Sequence, residues 1–252
     1  MLPGVPALLT LLLIACVAIS MHAVTGFGSA LLLSPALLAF ETPRVAVAAM
    51  TCVGLVINAL IVVRGPRRGP QHVAPVMRLI PGAMLGLPLG LILLSTVSKA
   101  TLQILIGAVV VVAVLVPAVS RADPDAQAAG GRGAEAACGV LSGVLTSSTG
   151  IGVTPIALWL GRRVRDAVAL RYGIALYSVA LTLGTLVLLV VTGGAELVRG
   201  VLLAAALAPA IVLGHWVGRR AFLRLDPRQF RAATLTLIVA SGVASMLAGL
   251  QV

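Results

Sequence analysis

Ser147-Ser148-Thr149-Gly150-Ile151-Gly152-Val153-Thr154-Pro155 reads as a helix broken inside an apolar run, and that reading decides the fold. The same tetrad stands 124 residues earlier as Thr25-Gly26-Phe27-Gly28, followed by Ser29 and later by Pro35. Glycine pairs and prolines stop a helix rather than extend it. In hydrocarbon a stopped helix exposes amides and carbonyls that find no partner there. Such breaks persist only where protein buries them or a wet cavity receives them. The two tetrads therefore predict half-helix ends that meet and hold a small anion.

Composition sets the surroundings. Hydrophobic residues make up 60% of the 252, charged residues 10%, and mean hydropathy is +1.14. Soluble domains carry about 25% charge, so the expected class is an all-α polytopic membrane protein. A net charge of +11 would suggest nucleic acid in a soluble chain, but with 3% aromatic residues there is little to stack on bases. The partners expected are the lipid bilayer and a small anion, not nucleic acid. Fifteen of the 18 Lys and Arg fall in the segments 64–78, 120–135, 161–171 and 219–231, between apolar runs. That bias predicts a cell-membrane protein with its arginine-rich loops on the cytoplasmic side.

Cys16, Cys52 and Cys138 are scattered, as are His22, His72 and His215, so neither a metal site nor a disulfide framework is expected. Paired carboxylates, a nucleophile–base set and a phosphate loop are all missing from the sequence. It reads as a non-enzyme without a cofactor. The first 24 residues lack the basic start of a signal peptide and read as a retained first helix.

About 20 residues at helical rise cover the roughly 30 Å hydrocarbon core. On that scale Val5 to Val24, Arg44 to Val63, Val73 to Val97 and Thr101 to Val119 are full spans of the first half. Phe27 to Phe40 is short for a span. Ala136 to Thr146 and Ile151 to Leu160 are half-length pieces, and Ala167 to Val191, Leu197 to Val217 and Phe230 to Leu250 complete the second half. This divides the chain into a first transmembrane repeat (1–119), a cytoplasmic linker (120–135) and a second transmembrane repeat (136–252).

Beyond the tetrads, Arg44 to Ala48 matches Arg165 to Ala169 at an offset of 121, and Pro81, Gly86 and Gly90 match Pro209, Gly214 and Gly218 at 128. Three matches in one order make an internal repeat. Each half is then a glycine-broken helical hairpin followed by three transmembrane helices. Three is odd, so the halves are expected to be inverted, an architecture that recurs in secondary transporters.

Gly26-Phe27-Gly28-Ser29-Ala30-Leu31-Leu32-Leu33-Ser34-Pro35 resembles the N-terminal signature of the sulfite exporter TauE/SafE family. Thr149-Gly150-Ile151-Gly152-Val153-Thr154-Pro155 looks like its second-half counterpart, and the resemblance runs over essentially the whole chain. It implies a multi-pass secondary transporter of a small organic or sulfur oxyanion, such as sulfite, sulfoacetate or a related sulfonate or carboxylate. A passive anion channel is the alternative, and a non-transporting membrane assembly partner a more distant one.

The expected substrate site is Thr25, Gly26, Gly28 and Ser29 with Ser148, Thr149, Gly150, Gly152 and Thr154. Each half-helix start offers free amides and about half a positive charge, so two together match a monoanion. A coupling proton or sodium ion is a further expected partner. His22, three residues before the first tetrad, is a candidate proton carrier, with a packing role the simpler alternative. Asn58 and Tyr177, on the first full span after each hairpin, are candidates to line the cavity, again with interhelical hydrogen bonding as the simpler role. Gly86-x-x-x-Gly90 and Gly214-x-x-x-Gly218 sit inside long apolar runs and read as helix-packing seams.

Overall fold

The computed structural model describes residues 3–25, 28–65, 70–119, 132–161, 167–192 and 194–222, with short pieces between 236 and 250. All regular structure among the described residues is helical. The first half contains α1 (Val5–Thr25), α2 (Ser29–Phe40), α3 (Pro43–Arg64), α4 (Pro70–Met77), α5 (Ile80–Thr96) and α6 (Lys99–Val119). The second contains α7 (Arg132–Thr149), α8 (Val153–Gly161), α9 (Ala167–Thr192), α10 (Gly194–Ala206) and α11 (Ala208–Phe222). Four stretches are long and apolar enough to cross a membrane: Val5–Ala23, Pro43–Arg64, Val73–Thr96 and Val168–Thr192. The bent pair α10–α11 makes a fifth. Leu13, Leu85, Val190, Val191 and Val212 are among the large apolar side chains left exposed, as lipid-facing positions are.

Two spans that the sequence predicts as continuous are broken. Between α4 and α5 the helix lapses at Arg78–Leu79, and between α10 and α11 it bends by 45° at Leu207. Each break lies just before a proline, Pro81 or Pro209. A proline ring lacks the amide hydrogen and crowds the carbonyl four residues back, so the ladder fails there. Pro88, deep in α5, leaves the helix intact.

The helix before the second glycine break is longer than expected. Instead of a half-length Ala136–Thr146 piece, α7 spans 18 residues, about 27 Å at helical rise. Glu135 lies in its first turn, where the helix dipole favours an acid. At its other end Ser148 and Thr149 stay helical because their hydroxyls donate to Val144 O and Leu145 O, both at 2.7 Å. Residues 132–135, expected in the linker, therefore belong to α7, and 120–131 lie outside the described residues. About half of the last expected span lies outside them too, as do 66–69, 162–166 and 223–231 of the arginine-rich loops.

The tightest helix contacts cross between the halves. Helix α5 lies on α7, and a Cβ at Gly86 or Gly90 would run into the backbone of Val140 or Val144. Helix α11 lies on α1, where a Cβ at Gly214 or Gly218 would meet the carbonyl of Cys16 or Ser20. Ser20 Oγ donates to Gly214 O at 2.9 Å, and Ser147 Oγ to Leu87 O at 2.7 Å. Without a hydrophobic drive between helices in lipid, such close backbone approach is what holds them. Helices α3 and α9 pack together between these pairs.

Candidate functional site

At the first break α1 ends one turn beyond His22, and Gly28 takes φ 109°, a backbone that side-chain-bearing residues rarely adopt. That turn starts α2 at Ser29, whose hydroxyl lies 2.9 Å from His22 Nδ1. At the second break Gly150 N–H donates to Thr146 O at 3.0 Å, Gly150 takes φ 77°, and α8 starts at Val153. Thr149 Oγ1 accepts from Ile151 N–H at 3.3 Å, and Thr154 N–H donates to Ile151 O at 3.3 Å. Ser34, on α2, donates to Thr149 O, so the short arm of the first hairpin is bonded to the second break.

The starts of α2 and α8 border one cavity of about 560 Å3, counted to its open mouth. Of the residues expected from the sequence, His22, Gly28, Ser29, Asn58 and Gly150 are in its lining. Ser148 and Thr149 instead line a second, smaller cavity with Ser34. Gly152 faces α7: a Cβ there would collide with Ser142 O and the Thr146 hydroxyl, and Ser142 Oγ donates to Gly152 O. Thr154 and Tyr177 are buried outside both linings, with Tyr177 Oη donating to Ser142 Oγ at 2.8 Å. Gly26 and the side chain of Thr25 lie outside the described residues.

The tetrads alone do not point to Thr51, Gly54, Ser178 and Thr182, which complete the opposite wall. Their signal is helical spacing. Thr51, Gly54 and Asn58 fall at i, i+3 and i+7 on α3, and Ser178 and Thr182 at i and i+4 on α9, each a small or polar stripe in an apolar span. Lys, Arg, Asp and Glu are absent from the described lining. Among the described residues no group of His, Cys, Asp and Glu is arranged to hold a metal ion. The polar part of the wall is amides, hydroxyls and one imidazole, set among Ala30, Met50, Val153 and Leu181, which suits noncovalent capture of a small polar ligand.

Apolar spans, interrupted helices and a shared polar cavity between them define a multi-pass helical membrane protein. The chain belongs to the sulfite exporter TauE/SafE family, whose family model matches residues 11–245. That is a family of membrane transporters. No curated protein and no solved structure matches the chain.

Proposed function

We propose that this chain is a secondary transporter that moves a small sulfur or organic oxyanion across the cell membrane. The substrate sits near mid-membrane between the starts of α2 and α8. The observation that carries this reading is that both helix starts border one cavity containing no fixed charge among its described residues. Burying an anion costs several kcal/mol unless donors replace its water. Two helix N-termini supply free amides and together about one positive unit. The His22–Ser29 pair adds one donor hydrogen in either imidazole tautomer, on Nε2 or on the hydroxyl.

The halves 1–119 and 136–252 are read as inverted repeats joined by a cytoplasmic linker. The register of the glycine seams supports this. Gly86 meets Val140 where Gly214 meets Cys16, and Gly90 meets Val144 where Gly218 meets Ser20. The glycines differ by 128 in number and their partners by 124, so equivalent residues touch in both halves. On the face assigned to the outside, Arg44 pairs with Glu196 at 3.7 Å and Arg199 with Glu41 at 2.9 Å. Those acids neutralise two of the three basic residues outside the arginine-rich loops, which fits the cytoplasmic placement of the rest.

Proteoliposomes with an imposed pH or sodium gradient test the function. A carrier accumulates sulfite or a sulfonate against its gradient, whereas a passive channel only equilibrates it. Cysteines placed in 64–70 and 220–226 should label only from the cytoplasm, and ones near Lys99 or Thr192 only from outside. Labelling of the arginine-rich loops from opposite faces would end the inverted-repeat reading.

A further inference from the structure

The two walls of the cavity have opposite hydrogen-bonding character. The α2–α8 wall donates, through the first helix-start amides at Ser29, Ala30 and Val153, which have no carbonyl four residues back in their own helix, and through the His22–Ser29 pair. The α3–α9 wall mainly accepts. The hydroxyls of Thr51, Ser178 and Thr182 lie 2.7–2.8 Å from the carbonyls of Val47, Ile174 and Ser178. A carbonyl cannot donate, so each hydroxyl hydrogen is already spent and only lone pairs remain for the cavity. Asn58 adds a carbonyl oxygen to that wall. Its Nδ2 donates one hydrogen to Gly54 O at 2.8 Å, which sets the amide orientation and leaves Oδ1 buried in the lining without a partner. His22 Nε2 is likewise buried and unpartnered there.

A wall dominated by acceptors is unfavourable for a bare anion and unfilled by a purely apolar ligand. The titratable group in the lining is His22. The Asn58 side chain faces it as a hydrogen-bonding group within the lining, Arg171 on α9 and His215 on α11 act on it through space from outside, and the Tyr177 hydroxyl is committed to Ser142. Two helix starts balance about one negative charge. A dianion would set a second charge against the lone pairs of α3 and α9. A monoanion bearing one hydroxyl satisfies both walls at once.

We infer, resting on the reading of the two helix starts as an oxyanion site, that the site takes its oxyanion in the hydroxyl-bearing monoanionic form. Among sulfur oxyanions this is hydrogensulfite, with its charged oxygens at the starts of α2 and α8 and its O–H donated to Asn58 Oδ1. The full-length protein in lipid nanodiscs can be titrated by calorimetry with sulfite and with methanesulfonate. The second is a monoanion without a hydroxyl, and the titrations step through the second ionisation of sulfite. Apparent sulfite affinity should fall by up to about tenfold per pH unit above that ionisation, as the competent fraction falls. Methanesulfonate affinity follows any titration of the protein alone, so the ratio isolates the substrate's proton. Asn58→Leu should lose roughly tenfold in affinity for sulfite below that ionisation, the scale of one hydrogen bond, and little for methanesulfonate.

A sulfite-to-methanesulfonate ratio that holds or rises with pH means the dianion binds and overturns the inference. So does sulfite binding that requires sodium, because a cation would then satisfy the acceptor wall. Equal losses for both anions in Asn58→Leu would reduce that residue to a packing role and overturn it as well. The wild-type ratio decides the matter even where the variant fails to fold. Binding of neither anion at any pH defeats the underlying site reading, whereas a pH-independent ratio defeats only the protonation state.

Discussion

The two Thr-Gly-x-Gly breaks share four letters of sequence pattern and differ in what their glycines do. In the first, Gly28 takes the positive φ, at 109°, and borders the cavity. In the second, the positive φ of 77° falls on Gly150, while Gly152, the counterpart of Gly28, lies flat against α7. Ser142 accounts for the packing of Gly152: its hydroxyl reaches across the hairpin to Gly152 O and holds the start of α8 close to the long arm. The first hairpin has Ala18 at the equivalent position, which cannot make that bond. A repeated motif thus fixes where a helix stops, and its neighbours decide which glycine turns the chain and which one packs.

The largest effect follows from that difference. Gly152→Leu should prevent folding, because its side chain would enter the backbone and hydroxyls of α7, beyond the 1–3 kcal/mol of ordinary overpacking. Recovery of a monodisperse peak after detergent extraction would erase the contrast between the breaks. Gly28→Ala should fold with a loss of about 1–2 kcal/mol for its positive φ. It should nonetheless lose ligand-induced thermal stabilisation by sulfite or a sulfonate, as its methyl occupies the helix start. Next in size, Ser29→Ala should weaken anion binding about fivefold to tenfold at near-normal stability, by removing one partner of the imidazole. The smallest change is expected from Glu196→Gln. Its pair with Arg44 is about as exposed as it is buried, so melting should shift by less than about 1 kcal/mol equivalent. A much larger shift there would give the joint between the starts of α3 and α10 a structural weight that the contacts do not suggest.

Much of this fold is written in local sequence. Apolar length sets α1, α3 and α9, and the glycine pairs stop α1 and α7 within a few residues of the expected places. The lapse before Pro81 and the bend before Pro209 escape such reading because a proline in an apolar run is compatible with an unbroken helix, as Pro88 demonstrates. The extent of α7 escapes it because Ser147, Ser148 and Thr149 look like helix breakers until their hydroxyls return to the preceding turn. At the cavity, the tetrads point to the donating wall. The accepting wall is encoded by Thr51, Asn58, Ser178 and Thr182, which individually resemble ordinary interhelical polar residues. Only their shared face, brought together by the packing of α3 on α9, gives them a common direction. Tyr177 carries the opposite lesson: one residue before Ser178, it turns to Ser142 and the core.

The seam between α1 and α11 has a consequence for biogenesis. Ser20 bonds to Gly214, 194 residues further along the chain. Helix α1 leaves the ribosome well before the surface that seats it has been made. The nascent first half must therefore wait in the bilayer with a glycine-accepting groove open, and α7 closes onto α5 before α11 closes onto α1. Final assembly is a late, long-range event, and the stretch of synthesis before it is when an insertion chaperone or a protease would meet the chain.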